Sequence, residues 1–328
     1  MVQVEIFAYG FPMLPLTYRP GSAEPQRLRN PSQNRGSERG LSLAGGLASV
    51  AVGVFALLIG LRVIEDEGKL HVPHWVMLPL GTMFAVCGLF VWWQTWRPYQ
   101  AKRRHARMLL KHPDEPAFAD YDWNPSGARS NLRAPAIRTT VIAGFFILFL
   151  VLPNYFAFTK PRPLFLIGIA GLLDVVTLFL IGHAALCWGR VLKFGQAELR
   201  FADFPFRTDK PVRLAWVAPS GCSGLATGSF TLRAVREWRE SSGRGKSRSE
   251  RLVHEQQWSG TWEINSPALI APGMNCDLVF KLPPDAPRTN LHGERPFFWE
   301  LEVALSLPGL DFKDTYLVPI YKAASCAV

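Results

Sequence analysis

Four uninterrupted apolar stretches, residues 41–61, 75–96, 139–158 and 164 to about 188, dominate the first 193 positions of the chain. A bilayer's hydrocarbon core is about 30 Å thick, so about 20 apolar residues in a helix suffice to cross it. The first stretch reaches that length without a charge. The second tolerates Pro79 in its first turn and ends in Trp92, Trp93 and Trp96, where an aromatic belt belongs. Residues 159–163 alone separate the last two stretches, which predicts a tight antiparallel hairpin.

Beyond Lys193 the pattern changes to short runs of alternating apolar and polar residues divided by turn signals. This is the signature of antiparallel strands with one wet face. Val212, Leu214 and Trp216 point one way, as do Cys276, Leu278, Phe280 and Leu282, and then Trp299, Leu301, Val303 and Leu305. Glu300 and Glu302 take the opposite face of the last run. Further runs at residues 197–202, 229–238, 252–258 and 311–321 bring the total to about seven, enough for an immunoglobulin-like sandwich. The predicted fold is an α-helical polytopic membrane domain of four spans plus an all-β C-terminal sandwich. Its parts are a flexible basic tail (1–40), a helix pair (41–96), a basic loop (97–138), a second helix pair (139–193) and a soluble β domain (194–328).

Charge orients this arrangement. Lys and Arg outnumber Asp and Glu 36 to 26 over the chain. The loop at 97–138 carries Arg97, Lys102, Arg103, Arg104, Arg107, Lys111, Arg129, Arg133 and Arg138, whereas 62–74 has only Arg62 and Lys69, beside Glu65, Asp66 and Glu67. Cytoplasmic loops collect Lys and Arg, so the long loop is expected inside. Four spans then return both termini and the β domain to the cytoplasm, supported by Arg27, Arg29, Arg35, Arg39, Arg190 and Lys193. The same rule accounts for the positive charge without nucleic acid as a partner. Five cysteines lie too far apart for a metal-type spacing or a disulfide framework.

Two features inside the spans stand out. Gly45, Ser49, Gly53, Ala56 and Gly60 put small side chains on one helix face, where another helix can approach closely, within the molecule or in a second copy. Asp174 places a carboxylate in mid-span, which is costly and calls for a partner or a cavity. His183 sits about 180° around the same helix, so the two cannot meet there. Asp174 is expected to be protonated, or bonded to Thr177, Thr139 or Thr140. On the outer loop, His71 and His74 with the three acidic residues have metal donors, but read as a solvated loop.

The hairpin RESSGRGKSRSER carries Arg239, Arg244, Lys246, Arg248 and Arg251, a basic tip suited to an acidic partner or an anionic leaflet, or simply to water. Its Gly-Lys-Ser is not a phosphate-binding loop, because Glu240 stands where that motif needs glycine and the segment joins strands. Ser223 fails the nucleophile-elbow pattern because Leu225 replaces the second glycine. His254 and His292 are expected at the surface. No catalytic, cofactor-binding or metal-ligating set emerges, so no cofactor and no enzymatic activity are expected.

The run LPPDAPRTNLHGERPFFWELEVALSLPGLDFKDTYLVPIY resembles the end of a β domain found in uncharacterised bacterial inner-membrane proteins, similar to the arrestin-like sandwich. Its marks are a Leu-Pro-x-Asp-Ala-Pro turn, a Trp-x-Leu-x-Val strand, Pro-Gly-x-Asp and a final Val-Pro strand. His112-Pro113-Asp114-Glu115-Pro116 with Asp122-Trp123 resembles a signature that follows the second span in those proteins, with Ala117 and Phe118 in place of its aromatic pair. The resemblance implies a fold and a membrane address, not an activity.

The resulting expectation is a non-enzymatic, membrane-anchored binding or scaffold protein of the bacterial inner membrane. Its partners would be the lipid bilayer, a protein engaging the β domain, and a second copy of the chain. The alternative is a small transporter or channel subunit using Asp174, disfavoured by the lack of internal repeats.

Overall fold

In the computed structural model of the chain, the described residues are 14–28, 43–64, 73–111, 116–159, 164–242, 249–292 and 295–322. Five helices appear among them: α1 (Leu43–Gly60), α2 (His74–Lys111), α3 (Pro116–Asp120), α4 (Arg133–Phe158) and α5 (Leu164–Phe194). The residues divide into two compact units. One takes the described parts of Glu38–Arg103 and Arg133–Gly189, the other those of Met1–Ser37, Arg104–Leu132 and Arg190–Val328.

The first unit is helical. Three helices are long and apolar enough to cross a membrane, over His74–Trp93, Arg133–Phe158 and Leu164–Phe194, while α1 is a shorter apolar helix. On α5 Leu172, Val175, Leu178 and Phe179 are exposed. An exposed apolar face of this kind on a helix suits hydrocarbon against it, not water. Helix α2 continues past its apolar part through Ala-, Lys-, Arg- and Leu-rich sequence to Lys111, because those residues favour helix without needing burial. Helix α1 closes on Arg62, whose φ of 59° is left-handed. The Arg62 and Val63 amides donate to the Ile59 and Leu58 carbonyls, the pairing of a Schellman cap.

The small-residue face of α1 packs within the unit, against α2. Cβ atoms built at Gly46, Gly53 and Gly60 would fall 3.0 Å or less from Val91, Ala85 and Leu78, and those at Gly81 and Gly88 would collide with α1. Ser49 Oγ donates to the Phe84 carbonyl at 3.0 Å. Gly45 is exposed and Gly46 buried, so Gly46 takes the place expected of Gly45, while Ser49, Gly53 and Gly60 make the contacts with α2. Which of two adjacent glycines faces inward depends on where the partner helix lies.

The second unit is mostly β. Its strands are β1 (Leu16–Ser22), β2 (Gln26–Arg27), β3 (Gly127–Arg129), β4 (Glu198–Phe201), β5 (Phe206–Arg207), β6 (Val212–Val217), β7 (Gly224–Ser242), β8 (Ser249–Ile270), β9 (Asn275–Phe280), β10 (Phe297–Ser306), β11 (Phe312–Val318) and β12 (Ile320–Tyr321). One antiparallel sheet has the order β1-β8-β7-β10-β11, with β2 also on β8; a second has the order β3-β4-β6-β9; β5 and β12 form a short parallel pair. Trp216 of β6 meets Phe230 of β7 and Phe312 of β11 at centroid distances of 5.5 and 5.6 Å, joining the two sheets through one aromatic core.

Two expectations are corrected here. Residues 1–40 are not wholly a tail: Leu16 pairs with Ile264 and Tyr18 with Trp262, and the Tyr18 ring lies 5.0 Å from that of Trp262 and 6.3 Å from that of Phe280. Nor is the segment between the second and third apolar helices a free loop. Its β3 extends the second sheet, with Gly127 at φ 149°, where a Cβ would lie 2.1 Å from the Leu199 carbonyl oxygen.

The same segment helps to cover the face of the larger sheet expected to be wet. Val235, Leu291, Phe298 and Leu317 form a buried cluster, with Leu28 and Trp123 packed against it. Phe297 to Leu301 are consequently buried on both faces. Glu300 and Arg233 there are buried and bonded to each other, with Arg233 also reaching Glu302 and Lys313 completing the chain at 2.7 Å from Glu302. Partnering at such depth is what permits charges under cover.

Candidate functional site

The long α2 helix, the turn α3 and the segment entering β10 bring His105, Asp120 and His292 together, all three within the β-rich unit. His105 lies on the last turns of α2, where Arg104 is held 2.9 Å from Asp122. Asp120 ends α3, whose Ala117 and Ala119 are buried. His292 follows an isolated bridge between Asn290 and Phe297 that fixes the approach to β10. One nitrogen of each imidazole and one carboxylate oxygen all lie within 4.8 Å of one another.

The hydrogen bonds around this group are directional. His105 Nδ1 donates to the Ala119 carbonyl at 2.9 Å, which leaves Nε2 with its lone pair. Tyr321 OH donates to Asp120 Oδ2 at 3.3 Å. The other oxygen, Oδ1, stands 3.9 Å from His292 Nδ1, too far for a hydrogen bond. The two imidazoles stack, with centroids 4.2 Å apart and planes 18° from parallel.

Partial burial sets the charges. It pushes the Asp120 carboxyl up, an effect opposed by His292, the Tyr321 hydroxyl, His105 and Arg288. It pushes His292 down, helped by His105 and opposed by Asp120. Both shifts weaken a carboxylate–imidazolium pair between Asp120 and His292. Burial also raises the Tyr321 phenol, which therefore stays a hydrogen-bond donor. In the deprotonated form that a metal requires, two imidazoles and a carboxylate are the donor set of Zn2+ and its first-row neighbours.

None of these three residues was singled out from sequence as a ligand. They come from three separate segments and share no motif spacing; only the folding of the β-rich unit brings them together. His292 is exposed, whereas His254, expected at the surface, is buried with Nε2 2.7 Å from Glu237 Oε2.

The sequence-predicted candidates fall elsewhere. Asp174 accepts a hydrogen bond from Asn154 Nδ2 at 3.1 Å. The threonines expected beside it bond elsewhere: Thr177 donates to Leu173, Thr139 to Pro135 and Ala136, and Thr140 to Ala136 while accepting from Trp188 Nε1 on α5 at 2.8 Å. His183 Nε2 stands 3.9 Å from Cys187 Sγ, one turn along α5. Arg239 and Arg251 are exposed near the end of the β7–β8 ladder, which also brings Arg27 3.4 Å from Glu240. Arg244, Lys246 and Arg248 lie outside the described residues, as do Glu65, Asp66, Glu67 and His71. His74 Nδ1 approaches the Ile59 carbonyl at 3.3 Å.

No protein-family model and no curated protein matches the chain. Among solved structures, the sporulation control protein Spo0M from Bacillus subtilis is similar over 39% of this chain and 49% of its own, at 13% identity and a TM-score of 0.26. The chain thus spans about half the length of that protein, and at this TM-score the likeness carries no argument.

Proposed function

We propose that the chain is a four-span protein of the bacterial inner membrane that presents a cytoplasmic, arrestin-like β-sandwich as a non-enzymatic binding or scaffold platform. The observation that carries this reading is the make-up of the β-rich unit, which draws on residues before α1, between α2 and α4, and after α5. A unit built from all three must have them on one side of the bilayer. If α2 crosses, α1 must cross as well, despite its shorter described length; α4 and α5 then return the chain to the same side. The basic residues from Arg97 to Arg138 favour the cytoplasm as that side.

The binding role follows from the rigid framing of this unit. The segment between the helix pairs is pinned by β3 and by Trp123, and the N-terminal strand by Tyr18. Such a platform can hold loops and strand edges in fixed positions for a partner. The bond from Asn154 gives Asp174 a structural partner, so the transporter reading has only the charge itself in its favour.

Protease accessibility in membrane vesicles tests the topology. The β-rich unit should be cleaved in inverted vesicles and protected in right-side-out ones, and the reverse result overturns the assignment. Affinity capture of the detergent-solubilised protein tests the role. Repeated failure to retain a partner, with and without added lipid, counts against a scaffold.

A further inference from the structure

We propose that His105, Asp120 and His292 form a binding site for a divalent first-row transition ion, Zn2+ foremost, that ties the segment between α2 and α4 to the approach of β10. The proposal is independent of the scaffold reading.

The donors fit such an ion in kind and in direction. His105 donates its Nδ1 proton to the carbonyl of Ala119, the residue before Asp120, so Nε2 is the ligand atom and its ring orientation is set. A ligating histidine held by a backbone carbonyl through its other nitrogen is the usual outer-shell arrangement. Asp120 has the same support, from the Tyr321 hydroxyl on Oδ2, which leaves Oδ1 toward His292.

Distances allow it with a small closure. Ligand bonds of about 2.0–2.2 Å at tetrahedral angles put neighbouring donor atoms roughly 3.3–3.6 Å apart around one ion. The 3.9 Å gap between Asp120 Oδ1 and His292 Nδ1 is too wide for a hydrogen bond and must close by a few tenths of an ångström to reach that range. The widest allowance in the group, 4.8 Å, must shrink. The stacked rings must also open from their 18° angle so that both lone pairs aim at one point. His292, exposed and outside regular secondary structure, can make that change, while His105 stays fixed by its helix and carbonyl. Arg288 is close enough to act on the Asp120 charge and opposes a cation, so the carboxylate and both imidazoles are needed together. With three protein ligands, a water molecule completes a tetrahedral shell on the exposed side.

The test uses the full chain in detergent, with any affinity tag removed, stripped with chelator and equilibrated with Zn2+ or Co2+. Elemental analysis after gel filtration should find about one equivalent of Zn2+ bound. Co2+ should give the visible absorption of a four-coordinate site. His292→Gln alters an exposed side chain and preserves the fold, so it should lower affinity roughly tenfold or more against a competing chromophoric chelator. Zn2+ should raise the melting temperature of the parent chain but not of His292→Gln. His105→Ala adds support only if its unliganded melting curve matches the parent. Absence of retained metal, or retention undiminished in His292→Gln, overturns the site.

Discussion

Asn154 on α4 donates from Nδ2 to Oδ1 of Asp174 on α5 at 3.1 Å, joining the two helices through side chains set in otherwise apolar sequence. Interhelical hydrogen bonds of this kind average about 0.6 kcal/mol and reach about 1.7 kcal/mol. Asn154→Leu deprives the carboxylate of this donor, and should lower stability by about 1 kcal/mol in thermal unfolding of the detergent-solubilised chain. Asp174→Asn keeps an acceptor oxygen in place and should melt closer to the parent. A loss of ion or solute flux in Asp174→Asn with unchanged melting would instead favour the transporter reading.

The α1–α2 contact makes a sharper prediction about glycine. A Cβ at Gly53 would lie 2.4 Å from the Ala85 amide nitrogen and 2.8 Å from the Gly81 carbonyl oxygen, both backbone atoms that cannot rotate away. Gly53→Ala should therefore cost about 1–3 kcal/mol by forcing the helices apart. Gly144→Ala on α4 meets nothing within 4 Å, and should be neutral or slightly stabilising because alanine favours helix. Melting temperatures of the two variants decide this. A Gly53→Ala chain that melts like the parent but no longer self-associates would move the stripe from an internal contact to a dimer interface.

What the sequence made legible was local. An apolar window of span length and strict alternation are both encoded in neighbouring residues, so the apolar part of α2, the helices α4 and α5, and β6, β9 and β10 lie close to their expected places. Pairings across the chain are not encoded that way. Strand β1 contains Pro20 and Gly21, which read as loop; at the edge of a sheet proline costs no ladder bond on the open side. Gly45 and Gly46 are equivalent until the partner helix is known, and the contact set Gly46, Gly53 and Gly60 repeats at the heptad spacing of close-packed helices. His105, Asp120 and His292 belong to three segments whose meeting depends on α3 and Trp123 folding onto the β-rich unit. No motif spacing precedes that event.

Docking of the N-terminal strand is a part of the fold that truncation can test. Tyr18 sits between Trp262 and Phe280, and Asn265 Nδ2 donates to Thr17 Oγ1 at 2.8 Å. Tyr18→Ala removes a half-buried ring from both contacts, and should destabilise the β-rich unit by about 1–2 kcal/mol. Deletion of residues 1–28 should cost more and increase amide exchange along β8, whose pairing with β1 and β2 would be lost. Unchanged exchange in β8 after the deletion would return these residues to the status of a tail.

The thiols of Cys222 and Cys276 give a prediction with a defined pH direction. Both side chains are buried, and burial is the main cause that pushes each thiol up from 9.0 to about 12. At pH 7.5 only about one molecule in ten thousand or fewer carries the reactive thiolate at either site, so maleimide should label neither until the chain is unfolded in detergent or denaturant. The native pKa values lie above those of the unfolded chain, so their stabilising contribution is complete below pH 9 and is lost as pH rises from 9 toward 12. The unfolding temperature of the parent should fall across that window more steeply than that of the Cys222→Ala/Cys276→Ala double variant. Parallel falls would show that other groups carry the alkaline transition, and rapid labelling at neutral pH would show that the core between the two sheets opens readily.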